Sequence, residues 1–312
     1  MKVLPLQLRT VTRTQGNNAA LKDGTVAPRT CTLEFVEVDP LIRAFREMVR
    51  ELAYDVCELA ITTYLCAKEH GKPFTALPIF LARGFHHGAI VATASGDPKT
   101  LEAARVGVNR GYTVTTGVWA RGVLADEHGV DLDKVTWVLS GDEHVAEYRP
   151  PANVVPQPDG KSLAELVKEG DLAAAIGVDD EQLVPLIHNP AEAGFEALRR
   201  RGHYPINHLI VVKDELIGAH PDLAADLFDA FGQAKELYLE RLRRGAIAEP
   251  TAADRTYARV LQLTGSDPLP YGVEPNRAAL EELIEHALRQ KILTRRPSLE
   301  SLFAEPTLEL AA

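Results

Sequence analysis

Short apolar runs alternate along the chain with stretches in which apolar residues recur every three or four positions, the rhythm of strands interleaved with amphipathic helices. Residues 1–14 set Val3, Leu4, Leu6, Leu8 and Val11 among polar neighbours as a strand does. Asp39 and Pro40 supply a cap and a first-turn proline for a helix whose buried face carries Leu41, Phe45, Met48, Val49 and Leu52. The run 55–61 (DVCELAI) predicts a buried strand that feeds a helix opened by Thr62 and Thr63 and closed by Gly71. Apolar stretches at 74–81 and 88–93 predict two further strands on either side of Ala82-Arg83-Gly84-Phe85-His86-His87. The turn at 95–98, rich in Gly, Asp and Pro, marks a crossover into a second lobe.

That second lobe is expected to begin with a strand at 105–109, a loop at 110–112 and a helix from Thr113 to about His128. A strand at 135–139 follows, then a loop with Pro150, Pro151, Pro156 and Pro158, a helix from Ser162, strands at 172–176 and 183–188, and a helix at 191–201. The buried run 206–212 places the return crossover near 202–205, and helices at 221–244, 253–263 and 275–292 are expected to pack back on the first lobe. No internal repeat is present. The reading is a mostly parallel α/β protein, a two-lobed clamshell with two crossovers and a ligand cleft between its lobes. Lobe one takes residues 1–94 and 204–312, and lobe two takes 95–203.

Composition narrows the function. A chain of 312 residues fits two domains of roughly 150, and 46% hydrophobic with 25% charged residues describes a folded globular protein. A net charge of −10 without any long Lys/Arg run argues against nucleic acid as the partner, so an anionic ligand needs local positive potential inside a cleft. No stretch approaches the roughly 18 unbroken apolar residues of a membrane span, and no export signal is visible, which predicts a cytoplasmic protein. Cys31, Cys57 and Cys66 are odd in number and lack CxxC spacing, as expected of reduced thiols. The histidines have no metal-ligand spacing, and the glycines, including GVNRG at 107–111, form neither a P-loop nor a dinucleotide fingerprint. No cofactor or metal is expected, and a homo-oligomer stays open.

Candidate chemistry clusters at strand ends. Thr62 and Thr63 in lobe one, and Thr113, Thr115 and Thr116 in lobe two, start helices whose free amides and positive ends can take a carboxylate; the same residues can serve as plain N-caps. Asn109 and Tyr112 border the second of these cradles. The segment Arg83-Gly84-Phe85-His86-His87 joins a guanidinium able to clamp a carboxylate with imidazoles able to exchange a proton, unless it is a solvated surface loop. His203 and His208 flank the return crossover, His208 before an apolar strand where a structural role is the competing reading. The acidic loop Ser140–His144 reads as a surface turn.

Several of these segments together resemble the 4,5-dihydroxyphthalate decarboxylase family: 55–61 with Tyr64 and Leu65, 77–87, 106–108 with 113–124, 204–208, and the ending Asp267-Pro268-Leu269-Pro270-Tyr271-Gly272 with Asn276-Arg277. The resemblance spans nearly the whole chain. It implies a fold of the type 2 periplasmic-binding-protein kind and non-oxidative decarboxylation of 4,5-dihydroxyphthalate to protocatechuate. Arg83, Phe85 and His87 match the family pattern, whereas His86 stands where an arginine is common, removing a permanent positive charge from the expected carboxylate pocket. On this reading His87 delivers a proton to the ring carbon, His208 or His203 serves the phenol, and Arg83 with the threonine-led helix ends holds the carboxylates. The alternatives are a non-catalytic binding protein for a small organic anion and a lyase acting on another hydroxylated aromatic acid.

Overall fold

A computed structural model describes residues 6–158 and 160–312; Val3 and Leu4 of the expected opening strand lie outside the described residues. The chain packs as two compact units. One runs up to Gly84 and resumes with Ile206–Leu280 and Pro297–Ala312; the other holds Phe85–Pro205 and Glu281–Arg296.

The first unit opens with β1 (Leu6–Val11), α1 (Ala19–Lys22), β2 (Cys31–Phe35), α2 (Ile42–Glu51), β3 (Val56–Ala60), α3 (Ile61–Glu69) and β4 (Phe74–Arg83). The second unit follows with β5 (Ile90–Ala92), β6 (Arg105–Val108), α4 (Thr115–His128), β7 (Thr136–Leu139), β8 (Val154–Pro156), α5 (Leu163–Glu169), β9 (Ala174–Ile176), β10 (Val184–Pro185) and α6 (Pro190–Arg201). The return brings β11 (Ile206–Lys213), α7 (Asp214–Ala219), α8 (Leu223–Arg243), α9 (Ala252–Thr264) and α10 (Arg277–Arg289).

Among the described residues the strands form one sheet per unit. The first has the order β2-β1-β3-β11-β4, with β2, β1 and β3 parallel and β11 antiparallel to both β3 and β4. The second has the order β10-β5-β9-β6-β7-β8, parallel from β9 to β8 and antiparallel at β5 and β10. Central strands read as nearly continuous apolar runs because helices cover both faces: every residue of β3 is buried, and Glu58 is the polar exception. α8, which packs against β4, buries Leu227, Phe228, Phe231 and Leu239 in the core. In the second unit Ser162 and Glu165 close a capping box that starts α5, and Leu163, Leu166 and Val167 bury onto the sheet with Leu172 and Ala175.

The unit boundaries differ from expectation in two places. The first passage falls after Gly84, because β5 pairs with β9 and β10 and so belongs to the second sheet. Arg83 accordingly ends a strand, and Phe85, His86 and His87 belong to the second unit. The last helix does not pack wholly with the first unit: from Glu281 onward it joins the second, where Gln290 accepts from Arg121 Nε at 2.8 Å and donates to the Val118 carbonyl at 2.9 Å. The chain therefore changes unit four times where two changes were expected. Gly122 permits this packing, since a Cβ there would lie 2.5 Å from His286 Nε2.

Candidate active site

In the first unit, β3 and β11 pair antiparallel with Glu58 opposite Ile210, so His208, two residues along, lies diagonal to Glu58 on the same face. Its Nδ1 lies 2.7 Å from Glu58 Oε1. A carboxylate only accepts, so Nδ1 carries the proton and Nε2 is left for other partners. Glu58 is fully buried, and its second oxygen accepts the Arg13 backbone N–H at 2.8 Å. The rings of His208 and Phe45 meet nearly at right angles with centroids 5.1 Å apart, which holds the His208 ring plane.

Arg83, at the end of β4, is buried and anchored from the C-terminal segment. Its Nη2 donates to the Pro270 carbonyl at 3.1 Å and to Asn276 Oδ1, and Asn276 is itself fixed by donating to the Pro270 and Gly272 carbonyls. The Asp-Pro-Leu-Pro-Tyr-Gly ending is thus the mount for this guanidinium. Thr62 and Thr63 are fully buried in the first turn of α3, whose N-cap is Ala60, so neither caps the helix nor opens to solvent.

In the second unit, His87 begins a short helical turn and is buried. Its Nε2 lies 3.1 Å from Glu127 Oε1, and its buried Nδ1 has no hydrogen-bond partner. Glu127, near the end of α4, also receives Arg201 at 3.0 Å and Arg200 at 2.9 Å. Burial works to raise its pKa, but the His87 hydrogen bond and the charges of His87, Arg201 and Arg200 prevail and hold it below the usual glutamate value. A cavity of about 10 Å³, room for one water, lies among Phe85, His86, His87, Trp119, Arg201 and His203.

Other predicted residues take supporting roles. His86 stacks on Trp119 with centroids 6.4 Å apart. Phe85 packs on Phe195 at 5.0 Å and Tyr204 at 4.7 Å, over Gly194. His203 directs Nδ1 at the Arg201 carbonyl, 3.1 Å away, and Nε2 at Glu282. Both partners are acceptors, so both nitrogens are used as donors and neither is available to a substrate; the geometry argues against His203 as a proton carrier.

The expected carboxylate cradle before α4 does hold a carboxylate, that of Glu143. The Tyr112 and Thr113 amides donate to it at 2.5 and 3.1 Å and the Thr113 hydroxyl at 2.7 Å. Gly111 admits it, because a Cβ there would sit 2.5 Å from Oε2. Tyr112 and Thr113 therefore serve the chain's own acid, and the loop at 140–144, a surface turn with residues 140–142 exposed, is latched to the start of α4 through Glu143. Thr115 is buried in the first turn of α4 with Thr116 half-buried beside it, and Asn109 ties β6 to the turn after β9 by donating to the Gly177 carbonyl at 2.7 Å.

Metal-like spacing among the described residues occurs at Asp126, Glu282 and His286, whose ligand atoms lie within 4.8 Å of one another. Arg289 meets Asp126 at 2.6 Å and Arg201 meets Glu282 at 2.9 Å, so the two carboxylates already have their cations. Sequence reasoning missed Glu127 and Glu282, and named Glu58 and Asn276 only within segments that carry the family resemblance, not as site residues. Glu127 sits in an ordinary helix-end run of acids (Ala125-Asp126-Glu127-His128), whereas a lone glutamate inside the apolar run 55–61 was a usable signal for Glu58.

No family model matches the chain. It is 27% identical over 296 residues to a 4,5-dihydroxyphthalate decarboxylase of Comamonas testosteroni, covering 88% of this chain and 89% of that protein. It is 32% identical over 154 residues to a 4,5-dihydroxyphthalate decarboxylase of Pseudomonas putida, covering 46% of this chain and 59% of that one. Among solved structures, a Candida albicans gene product, CA3427, described as exhibiting the generic periplasmic binding protein structural fold, aligns with a TM-score of 0.57 at 12% identity, covering 99% of this chain and 98% of its own. The periplasmic aliphatic sulphonate binding protein SsuA of Escherichia coli aligns with a TM-score of 0.53 at 10% identity, covering 97% and 99%. The chain thus has the α/β fold of the periplasmic binding proteins and, along most of its length, is similar in sequence to a 4,5-dihydroxyphthalate decarboxylase.

Proposed function

We propose that the protein is a carboxy-lyase that decarboxylates a hydroxylated aromatic dicarboxylate without oxidation, with 4,5-dihydroxyphthalate as substrate and protocatechuate as product. The observation that carries the reading is His87 in the second unit, bound to the Glu127 carboxylate through Nε2 with its buried Nδ1 left without a hydrogen-bond partner; within the first unit, His208 is bound to the Glu58 carboxylate through Nδ1. The names of the two similar curated proteins supply the substrate class.

The chemistry needs an acid and a base. Direct loss of carbon dioxide from a benzoate leaves an aryl carbanion with nowhere to put its charge. A hydroxyl para to the carboxylate removes that obstacle: its deprotonation raises electron density at the carboxylated carbon, which then accepts a proton before the carbon–carbon bond breaks. Carbon dioxide departs, its bonding pair restores the ring, and the phenolate takes back a proton. On this proposal His208 accepts the phenolic proton through Nε2, His87 takes up a solvent proton at Nδ1 and passes it to the ring carbon, returning to the neutral Nε2–H form, and Arg83 offsets carboxylate charge. The reaction consumes one proton per turnover, because two carboxylates become one.

The test is incubation of the protein with 4,5-dihydroxyphthalate while carbon dioxide and protocatechuate are followed. Tight binding without turnover would establish the anion-binding reading instead, and turnover confined to another hydroxylated aromatic acid would replace the substrate. If His87→Gln and Arg83→Gln both leave turnover unchanged, the residue assignment is wrong. A cytoplasmic location is part of the same proposal and is read by cell fractionation; no helix among the described residues is long and apolar enough to cross a membrane.

A further inference from the structure

Glu127 lies outside every segment that pointed to function, yet three side chains converge on it: His87 Nε2 at 3.1 Å, Arg201 Nη2 at 3.0 Å and Arg200 Nη2 at 2.9 Å. Arg201 is a fork, its other terminal nitrogen meeting Glu282 at 2.9 Å, and Glu282 in turn holds His203. The result is a line of alternating partners, His87, Glu127, Arg201, Glu282 and His203, that links the end of α4 to the ends of α6 and the middle of α10. Trp119 and Val123 of α4, with Ala197 and Leu198 of α6, line the apolar side of the cavity beside His87.

We propose that Glu127 is the positioning residue of His87: it holds the Nε2–H tautomer and turns Nδ1 toward the cavity, while Arg200 and Arg201 keep its carboxylate ionised and fixed. Three features carry this. A carboxylate accepts and never donates when ionised, so the contact sets which nitrogen of His87 carries the proton. The two guanidiniums compete for the charge that would otherwise draw the proton off His87, so Glu127 orients the ring and does not take its proton. Nδ1 is buried without a hydrogen bond, and an orphaned polar atom is costly to bury, a cost that recurs where the atom has work to do. The other titratable groups near this ring are His128 on α4 and His86 and His203 around the cavity.

The inference rests on His87 being the proton carrier of the proposed decarboxylation, and its test has one readout that needs no activity. Nitrogen-15 NMR of the imidazoles in the wild-type protein should show His87 as the Nε2–H tautomer, and Glu127→Gln should move a substantial fraction to Nδ1–H. In turnover, Glu127→Gln should lower kcat about 10- to 100-fold while KM and the Kd for phthalate stay within about twofold, and Glu127→Asp should recover part of the loss. An Nδ1–H tautomer in the wild-type protein, or an undiminished kcat in a folded Glu127→Gln variant, overturns the proposal. Should Glu127→Gln not fold, the wild-type tautomer decides alone. Nε2–H at His87 in a protein that converts no hydroxylated aromatic acid would overturn the proposed reaction and leave the positioning role standing.

Discussion

His208 and His87 are held through opposite nitrogens, Nδ1 for the former and Nε2 for the latter, so they offer different atoms to a substrate. The partner of His208 can be altered at nearly constant volume. Glu58→Gln leaves an amide that can donate or accept, so the ring of His208 is no longer restricted to one tautomer, and the substitution should lower kcat about tenfold or more. The same change weakens the acceptor for the Arg13 amide and should cost about 1–3 kcal/mol in urea unfolding. A second prediction concerns pH. Burial lowers the His286 pKa to about 4, against the opposing pull of Glu282 and Asp126. An unfolded histidine titrates near 6.5, so between pH 6.5 and 4 the unfolded chain binds more protons than the folded one, and stability falls as pH falls through that window. The contribution is fully present above pH 6.5. Melting temperatures across this range should fall less steeply in His286→Gln than in the wild-type protein.

At the scale of elements, two glycines set where helices meet their neighbours. A Cβ at Gly122 would stand 2.5 Å from the His286 ring, and the obstacle is a buried imidazole with little room to retreat. Gly122→Ala should therefore destabilise by roughly 1–3 kcal/mol, despite alanine's better helix propensity, because α10 must shift from α4. Gly194→Ala meets Phe85 in the same way, at 2.5 Å from Cγ. Phe85 is two residues before His87, so this change should depress kcat more than stability, as a comparison of turnover with thermal unfolding would reveal. Most elements were legible from the sequence because their signals were local: the 3.6-residue period of α8, the capping box of α5, the apolar run of β3. The missed strands carry weaker signals. β2 is an edge strand with alternating exposure, and β8 is three residues long, ends in Pro156 and lies in a proline-rich loop. The partners of the histidines were illegible for another reason: Glu127 lies 40 residues from His87 and Glu58 lies 150 from His208, and only the fold brings them together.

For the molecule as a whole, the sequence pattern established the α/β class and that the chain leaves one unit and returns to it. It did not reveal that the last helix changes unit partway along, because apolar periodicity says which face of α10 is buried and not against what. Leu283, Ile284 and Ala287 are buried whichever unit receives them. A protein that binds an aromatic diacid in its folded state alone gains RT ln(1 + [L]/Kd) of stability, about 2.7 kcal/mol at a hundredfold excess over Kd. Phthalate should accordingly raise the melting temperature in a concentration-dependent manner, and benzene, without carboxylates, should leave it unchanged. The most direct test of the central claim is to supply 4,5-dihydroxyphthalate in D₂O and analyse the product by NMR. Decarboxylation through a protonated ring carbon predicts one carbon dioxide per diacid and protocatechuate with a single deuterium at the carbon that lost its carboxylate. Diacid recovered unchanged from its complex with the protein would contradict it.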